Sequence, residues 1–381
     1  MRDVFLCSLG SYGGPEAHYG VFSAVLVEKK KYLSEEELSE MIGLFALVPG
    51  PSSTQTITAI GYYAGGPLLA ILTFLVWALP AILTMGLAGT FFARVGADDG
   101  WRPVLTYLPA AAVAFIAYAA ISLSKKVIKG TYEALLFGAM FVLSLPLVGY
   151  SMWIVPALLV LGGLVSALPR REERTDTEAN VRPRWSLLAL VVGIALCSEV
   201  LRIWIAAPWA LLFTSFYRYG YSVIGGGQIV IPLMIQDLVE SQSLISLHDF
   251  LSGYAIDQAI PGPLFSFAAF VSARSFPGTA FTFPAALIGG LSIFLPGILL
   301  VFFIFPLWQS MRAVPSLKRF LSGVSVTAAA LIAMTAAVQL WKLPRDFAAY
   351  GVAVLSTVAL LTKRVPAPLV VVLAAAAGFV R

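Results

Sequence analysis

Residues that commonly build catalytic and metal sites are scarce in this sequence. Its 381 residues include two cysteines and two histidines, and only 12% of them are charged. Cys7 and Cys197 lie in separate apolar segments, which excludes a disulfide framework and a cysteine zinc site, and both thiols are expected to be buried. His18 and His248 are 230 positions apart, which leaves little equipment for a catalytic site. We therefore predict no cofactor, no metal site and no enzyme activity.

Apolar residues, in contrast, make up 59% of the chain, and its mean hydropathy is +0.88. Soluble domains contain about 45–50% apolar residues. Several apolar runs reach the roughly 20 residues that a helix needs to cross a bilayer. The net charge of +5 comes from Lys and Arg in short loops between these runs, where they indicate orientation rather than binding to nucleic acid. The sequence predicts an all-α, multi-pass protein of the cell (inner) membrane, embedded in the lipid bilayer, with no nucleic-acid partner.

Glycine and proline motifs recur in the two halves of the chain. Each motif is followed by its counterpart 212 positions later. A constant spacing over nearly 40 residues indicates an internal duplication. The pairs are Gly13-Gly14-Pro15 with Gly225-Gly226-Gly227, Glu28 with Glu240, and Pro49-Gly50-Pro51 with Pro261-Gly262-Pro263.

The one strongly hydrophilic stretch, residues 170–184, falls between the two copies. We interpret it as part of a cytoplasmic linker. The predicted organisation is a first repeat at 1–168, a linker and connecting transmembrane helix at 169–205, and a second repeat at 206–381.

Lysine and arginine are distributed differently in the two copies. Lys29-Lys30-Lys31 has an uncharged counterpart, Ser241-Gln242-Ser243, and Lys363-Arg364 has one in residues 147–151. Three of four such loop comparisons show opposite bias. Because Lys and Arg favour cytoplasmic loops, this pattern predicts two inverted-topology repeats.

The segments on either side of the first Pro-Gly-Pro are short. Residues 33–48 and 52–64 would form helices of about 24 and 20 Å, below the ~30 Å hydrocarbon core of a bilayer. Broken, re-entrant helix hairpins are therefore expected in each repeat.

Taken together, these motifs resemble the chromate ion transporter family in its long form with two fused domains. The resemblance spans nearly the whole chain, including Tyr12-Gly13-Gly14-Pro15, the stretch from Glu28 to Glu37, both Pro-Gly-Pro loops and their counterparts. Two positions depart from the family pattern. Ala46 stands where a glutamine is common, a place that Gln258 fills in the second half, and Ile224 replaces an aromatic residue.

The resemblance implies export of chromate from the cytoplasm, powered by an ion gradient through protons or another coupling ion. No phosphate-binding Gly-x-x-x-x-Gly-Lys-Ser/Thr loop is present, in keeping with a drive other than ATP. Sulfate or another oxyanion as cargo, a passive channel and a membrane-embedded enzyme are the alternatives. The sequence leaves a homodimer open.

Chromate is a tetrahedral dianion, so a site within the membrane must replace its water with other dipoles or charges. Helices that begin in mid-membrane offer free N–H groups and the positive end of the helix dipole. Proline suits the first helical position and glycine allows close approach of the backbone to an ion. The predicted substrate-binding residues are Gly13, Gly14, Pro49, Gly50, Pro51, Ser52, Ser53, Thr54, Gln55, Gly225, Gly226, Gly227, Gln228, Gln258, Pro261, Gly262, Pro263 and Ser266, with Ser52 to Gln55 as the strongest candidates.

Charged and titratable residues within apolar segments are candidates for coupling or charge balance. His18 could accept a proton near neutral pH. Asp257 would repel a dianion, so it is expected to carry a proton or to pair with an arginine. Arg218 and Arg274 could attract or balance the anion, or extend to the interface. Glu16 completes this set.

Overall fold

Helices account for all the regular secondary structure in the described part of the chain. This computed structural model describes residues 1–12, 14–46, 48–95, 102–147, 154–168, 185–205, 207–223, 230–307 and 315–379. Five helices in these ranges are long and apolar enough to cross a membrane. The prediction of an all-α, multi-pass membrane protein is confirmed. The five spans are Ser52–Phe92, Pro103–Val127, Trp185–Ile205, Thr282–Ile304 and Arg319–Lys342.

The first half begins with two short helices, followed by a broken helix hairpin. The α2 helix continues into a π-helical segment, Ser23–Lys29. The hairpin is formed by α3 and the first part of α4, which kinks where Gly65 and Gly66 leave the helical conformation. Pro67 follows the kink and lacks the N–H that a continuous helix would need there. The helices are α1 (Arg2–Gly10), α2 (Pro15–Phe22), α3 (Glu35–Phe45), α4 (Ser52–Val95), α5 (Arg102–Thr106), α6 (Leu108–Val127), α7 (Thr131–Leu147) and α8 (Ile154–Ala167).

The second half follows the same order after the connecting helix α9 (Trp185–Ile205). A second π-helical segment spans Ile235–Ser241, and a 3₁₀ turn at Leu264–Ser266 leads into α13 (Phe267–Arg274). Leu79-Pro80 and Leu295-Pro296 are 216 rather than 212 positions apart. The four extra residues, around 275–278, lie in the turn between α13 and α14 (Thr282–Ser292), where the first half has its kink. The helices are α9 (Trp185–Ile205), α10 (Pro208–Ser222), α11 (Val230–Met234), α12 (Leu247–Ala259), α13 (Phe267–Arg274), α14 (Thr282–Ser292), α15 (Leu295–Ile304), α16 (Pro315–Lys342), α17 (Phe347–Leu361) and α18 (Ala367–Ala377).

Unusual backbone features occur at equivalent places in the two halves. The two π-helical segments are 212 positions apart. Lys31 and Ser243, also 212 apart, have positive φ angles of 54° and 51°. Ser34 and Ser246 cap α3 and α12 by accepting hydrogen bonds from the backbone N–H three residues later. Duplication of sequence is thus accompanied by duplication of local structure.

The two halves are interlocked rather than side by side. The long helix α6 packs against α17 and α18, and α16 packs against α7 and α8. Gly162 of α8 lies so close to α16 that an added Cβ would meet the Thr327 hydroxyl, and an added Cβ on Gly323 would meet the Gly162 carbonyl. Absent side chains at these positions let the backbones approach closely.

The connecting helix α9 lies on the outside of the bundle. Only 11% of its most apolar stretch is buried, compared with 67% for the span that contains α6. Trp185 and Trp204 are exposed near its two ends, about 28 Å apart along the helix axis, which matches the ~30 Å hydrocarbon core. Cys7 is buried as predicted, but the prediction for Cys197 is wrong: this thiol is exposed because it lies on α9.

Candidate functional site

The two Pro-Gly-Pro loops each contact the opposite half of the chain. The Gly50 N–H donates to the Val223 carbonyl at 2.7 Å, and the Gly262 N–H donates to the Ser11 carbonyl at 2.8 Å. Gly50 and Gly262 are 212 positions apart, as are Ser11 and Val223. The contact is therefore reciprocal, and each helix break is held beside the start of the other half's glycine turn.

Both central glycines are required by conformation and by space. Gly50 and Gly262 have φ angles of 124° and 128°, a region that residues with a side chain rarely adopt. A Cβ on Gly50 would lie 3.0 Å from the Gly297 Cα, and one on Gly262 would lie 2.5 Å from the Ala81 Cβ. Each loop thus packs against the long helix of the other half, one residue after Pro296 or Pro80.

The first turn of α4, directly after the first break, is a cluster of four buried polar residues. Pro51 directly precedes α4, one residue before the predicted position, and its carbonyl accepts the Gln55 N–H at 2.9 Å. Ser52, Ser53, Thr54 and Gln55 are all at least 94% buried. These four residues form the first turn of the helix, and their hydroxyl and amide groups point in different directions around it, in an otherwise apolar interior.

Neighbouring helices supply partners for this cluster. Tyr19 donates to the Ser52 Oγ at 3.1 Å, and the Trp77 Nε1 donates to the Thr54 Oγ1 at 3.1 Å. The Gln55 amide donates to the carbonyls of Pro49 at 2.8 Å and Gly297 at 3.2 Å, while its Oε1 has no partner among the described residues. Gln55 therefore links the first break to the second half.

His18 is fully buried beside the same cluster. It lies on α2, whose start follows Gly14, and its Nδ1 is 3.0 Å from the Ser53 Oγ. Its ring meets Trp77 edge to face with centroids 5.3 Å apart. Within the described residues, its Nε2 has no hydrogen-bond partner. The structure thus brings together His18 and Ser53, two residues selected from distant parts of the sequence.

The second break is built differently. Leu264 and Phe265 replace the two serines, and Asp257 of α12 reaches the helix start instead. Its Oδ1 accepts a hydrogen bond from the Ser266 Oγ at 2.9 Å. Gln258 is buried next to it. Asp257 has no arginine partner in the described ranges, so its pairing with an arginine is not observed.

Arg218 lies in a different cluster, centred on Asp237. It donates to Asp237 at 2.9 Å and to Glu199 of α9 at 3.1 Å. Tyr219 and Gln242 also donate to Asp237, at 2.5 and 2.6 Å. Arg218 therefore balances a buried carboxylate. Sequence reasoning missed Asp237, although a single acid within the apolar run 230–239 is a recognisable signal.

Arg274 closes the base of the second hairpin. It donates to Asp249 at the start of α12, at 2.6 Å, and to the Phe92 carbonyl at the end of α4, at 3.0 Å. In the first hairpin, Tyr63 donates to Glu37 at 2.6 Å. Each hairpin is thus closed by an acid on its first leg and a donor at the end of its second.

Some predicted site residues cannot be placed. Gly13, Gly225, Gly226, Gly227 and Gln228 lie outside the described residues, and so does the side chain of Glu16. Ser11 and Val223, which precede the two glycine turns, are described and accept the reciprocal hydrogen bonds above.

The long apolar helices and the paired helix breaks define a multi-pass membrane protein with interrupted helices, an arrangement typical of transporters. The sequence profile described as "Chromate transporter" matches residues 1–167 and 210–379. The chain belongs to this family.

Relatives with curated names point the same way. The chain is 26% identical over 374 residues to the "Probable chromate transport protein" of Synechococcus elongatus, covering 97% of this chain and 91% of the relative. It is 26% identical to the "Chromate transport protein" of Cupriavidus metallidurans, over 100% of this chain and 92% of the relative. The protein of that name from Pseudomonas aeruginosa is 25% identical over 85% of this chain and 76% of its own length. No solved structure matches the chain.

Proposed function

We propose that this protein is a secondary active transporter that exports chromate from the cytoplasm, driven by the membrane's ion gradient. Membership of the chromate transporter family supports the cargo. The observation that carries the proposed site is the start of α4, where four buried polar residues follow the helix break and His18 contacts one of them, Ser53.

The electrostatics of this helix start suit an oxyanion. The first N–H groups of a helix have no partner within it, and its dipole places about half a positive charge at this end. The hydroxyls of Ser52, Ser53 and Thr54 can rotate their protons toward an anion. His18 is the charge-balancing group, because protonation would add one positive charge beside Ser53. Together these groups replace the water that a dianion loses on entering the membrane.

The two copies are proposed to be inverted in the membrane. Opposite Lys and Arg bias at equivalent loops supports this, and so does the reciprocal pair of hydrogen bonds from Gly50 and Gly262. One of these two hydrogen bonds can break while the other remains. This is the motion that alternating access needs around a site between two repeats.

Ser53→Ala is the first test of the site. Removing one hydrogen bond to a charged ligand costs roughly 1.5 kcal/mol, so the apparent affinity for chromate should fall about tenfold. The measurement is the concentration dependence of labelled chromate transport in vesicles that contain equal amounts of each protein.

Thr84→Ala is the matched control. Thr84 lies on the same helix and is exposed, and its hydroxyl donates only to the Pro80 carbonyl. Its removal should leave the affinity unchanged. Equal affinities for the Ser53 and Thr84 variants would rule out the start of α4 as the binding site.

A further inference from the structure

The two helix starts are chemically complementary. At the first start, Phe45 occupies the position equivalent to Asp257, and Thr54 the position equivalent to Ser266. The first start therefore has hydroxyl donors and no internal carboxylate. The second start has apolar residues in place of Ser52 and Ser53, and a carboxylate, Asp257, that accepts a hydrogen bond from the Ser266 hydroxyl. Each helix start is suited to bind one anion. At the second start, the protein itself provides that anion, the Asp257 carboxylate.

Asp257 is buried without a cation. It is only 5% exposed, and the hydrogen bond that it accepts comes from the Ser266 hydroxyl. Asp237 is the contrast within the same half, since it has Arg218, Tyr219 and Gln242 as donors. A buried carboxylate without a cation is costly in its ionised form, whereas Asp237 is stabilised as an anion. Of the two acids, Asp257 is the one suited to gain and lose a proton.

Other titratable groups on the surrounding elements do not neutralise Asp257. The elements packed against α12 are α6, α13, α18, the π-helical segment Ile235–Ser241 and the 3₁₀ turn Leu264–Ser266. Arg274 is bound to Asp249, and Glu240 to Lys342. No hydrogen bond or ion pair in the described ranges joins Asp257 to a titratable group on these elements or on α12 itself. These groups are Tyr118, Lys125, Lys126, Asp237, Glu240, His248, Asp249, Tyr254 and Arg274.

We infer that Asp257 is the binding site of the coupling proton, at the position in the second repeat that the oxyanion occupies in the first. This inference rests on the proposed function. A proton from the outer solution binds a carboxylate oxygen of Asp257, and the neutral acid accepts the hydrogen bond from the Ser266 hydroxyl more weakly than the anion does. The second break is then free to rearrange, and the proton leaves to the cytoplasm while the oxyanion at the first helix start moves outward. Proton entry and anion exit are thereby exchanged.

The test compares Asp257→Asn with Asp257→Glu in everted vesicles. Two quantities are measured: labelled chromate uptake driven by an acidic vesicle interior, and exchange of labelled for unlabelled chromate without a gradient. We expect Asp257→Asn to lose at least tenfold of the gradient-driven uptake and to keep exchange within about twofold. Asp257→Glu, which keeps a carboxyl group, should retain part of the gradient-driven uptake.

Different results would contradict the role of Asp257 and the proposed transport of chromate. Gradient-driven uptake that persists in Asp257→Asn would overturn the inference alone. Absence of chromate movement in the wild-type protein would overturn the proposed function itself. If Asp257→Asn does not reach the membrane, Ser266→Ala decides: it removes a donor to the ionised acid, so the midpoint of the pH profile of transport should rise by about one unit. An unshifted midpoint would contradict the assignment.

Discussion

Arg218→Leu is expected to lower the free energy of unfolding by roughly 3–5 kcal/mol, because it leaves Asp237 as a buried charge without a cation. Asp237 is fully buried and Arg218 is 5% exposed, so water cannot replace the lost partner. The same substitution also releases Glu199, and with it one attachment of α9 to the second half. Thermal unfolding of the purified protein in detergent measures the loss.

Two comparisons test whether the unpaired charge of Asp237 causes the loss of stability. Arg202 also pairs with Glu199, at 3.1 Å, but its side chain is 36% exposed, so Arg202→Leu should cost no more than about 1 kcal/mol. Replacing both Arg218 and Asp237 by leucine removes the unpaired charge and should recover most of the lost stability. An Arg218→Leu variant as stable as the wild-type protein would show that the cluster around Asp237 does not stabilise the fold.

Gly262→Ala is expected to impair transport strongly. The φ angle of 128° is strained for alanine by on the order of 1–3 kcal/mol, and the new methyl group would lie 2.5 Å from the Ala81 Cβ. We expect transport to fall more than tenfold, since the second break can no longer hold its contact with Ser11. The measurement is labelled chromate transport at equal amounts of protein in the membrane.

Ala81→Gly in the same chain separates the two causes. It removes the methyl group that the new side chain meets, and should restore part of the activity, while the backbone strain stays. Gly138→Ala is the control, because this glycine lies in α7 with no other atom within 4 Å of an added Cβ. Full activity in Gly262→Ala would mean that the reciprocal contact of the two loops is dispensable.

Much of the fold follows from the pattern of residues. Long apolar runs predict spanning helices, and Ser34 followed by Glu37 predicts the start of α3, which the structure forms as a capping box. The break at Pro49-Gly50-Pro51 and the short second leg, which ends at the kink of Gly65 and Gly66, follow from proline and glycine chemistry. These features are local, so that neighbouring residues determine them.

Contacts between distant segments could not be predicted in the same way. Nothing in the sequence indicates that Trp77 binds Thr54, or that Gly50 packs against Gly297, because these pairs depend on how the two halves interlock. His18 and Ser53 were each selected for their chemistry, but their contact is a property of the fold. The π-helical segments are likewise invisible to a pattern of period 3.6.

Electrostatic partners were the least predictable part of the candidate site. Glu199 and Arg202 are the exception, since a spacing of three residues along one helix brings two side chains together. The sequence offers Arg218 and Arg274 as charges that could attract or balance an anion, and the structure shows each of them bound to a carboxylate of the protein. A buried charged side chain pairs with the nearest opposite charge, and sequence spacing does not reveal which residue carries that charge.

The proposed transport is tested by the uptake of labelled chromate into everted vesicles under an imposed proton gradient, with unlabelled sulfate as competitor. We expect an acidic vesicle interior to drive chromate inward, and Ser53→Ala to require about ten times more chromate for the same rate. Sulfate that displaces chromate completely would reassign the cargo to the wider class of tetrahedral dianions. Vesicles that take up no chromate with the gradient in either direction would contradict the proposed transport.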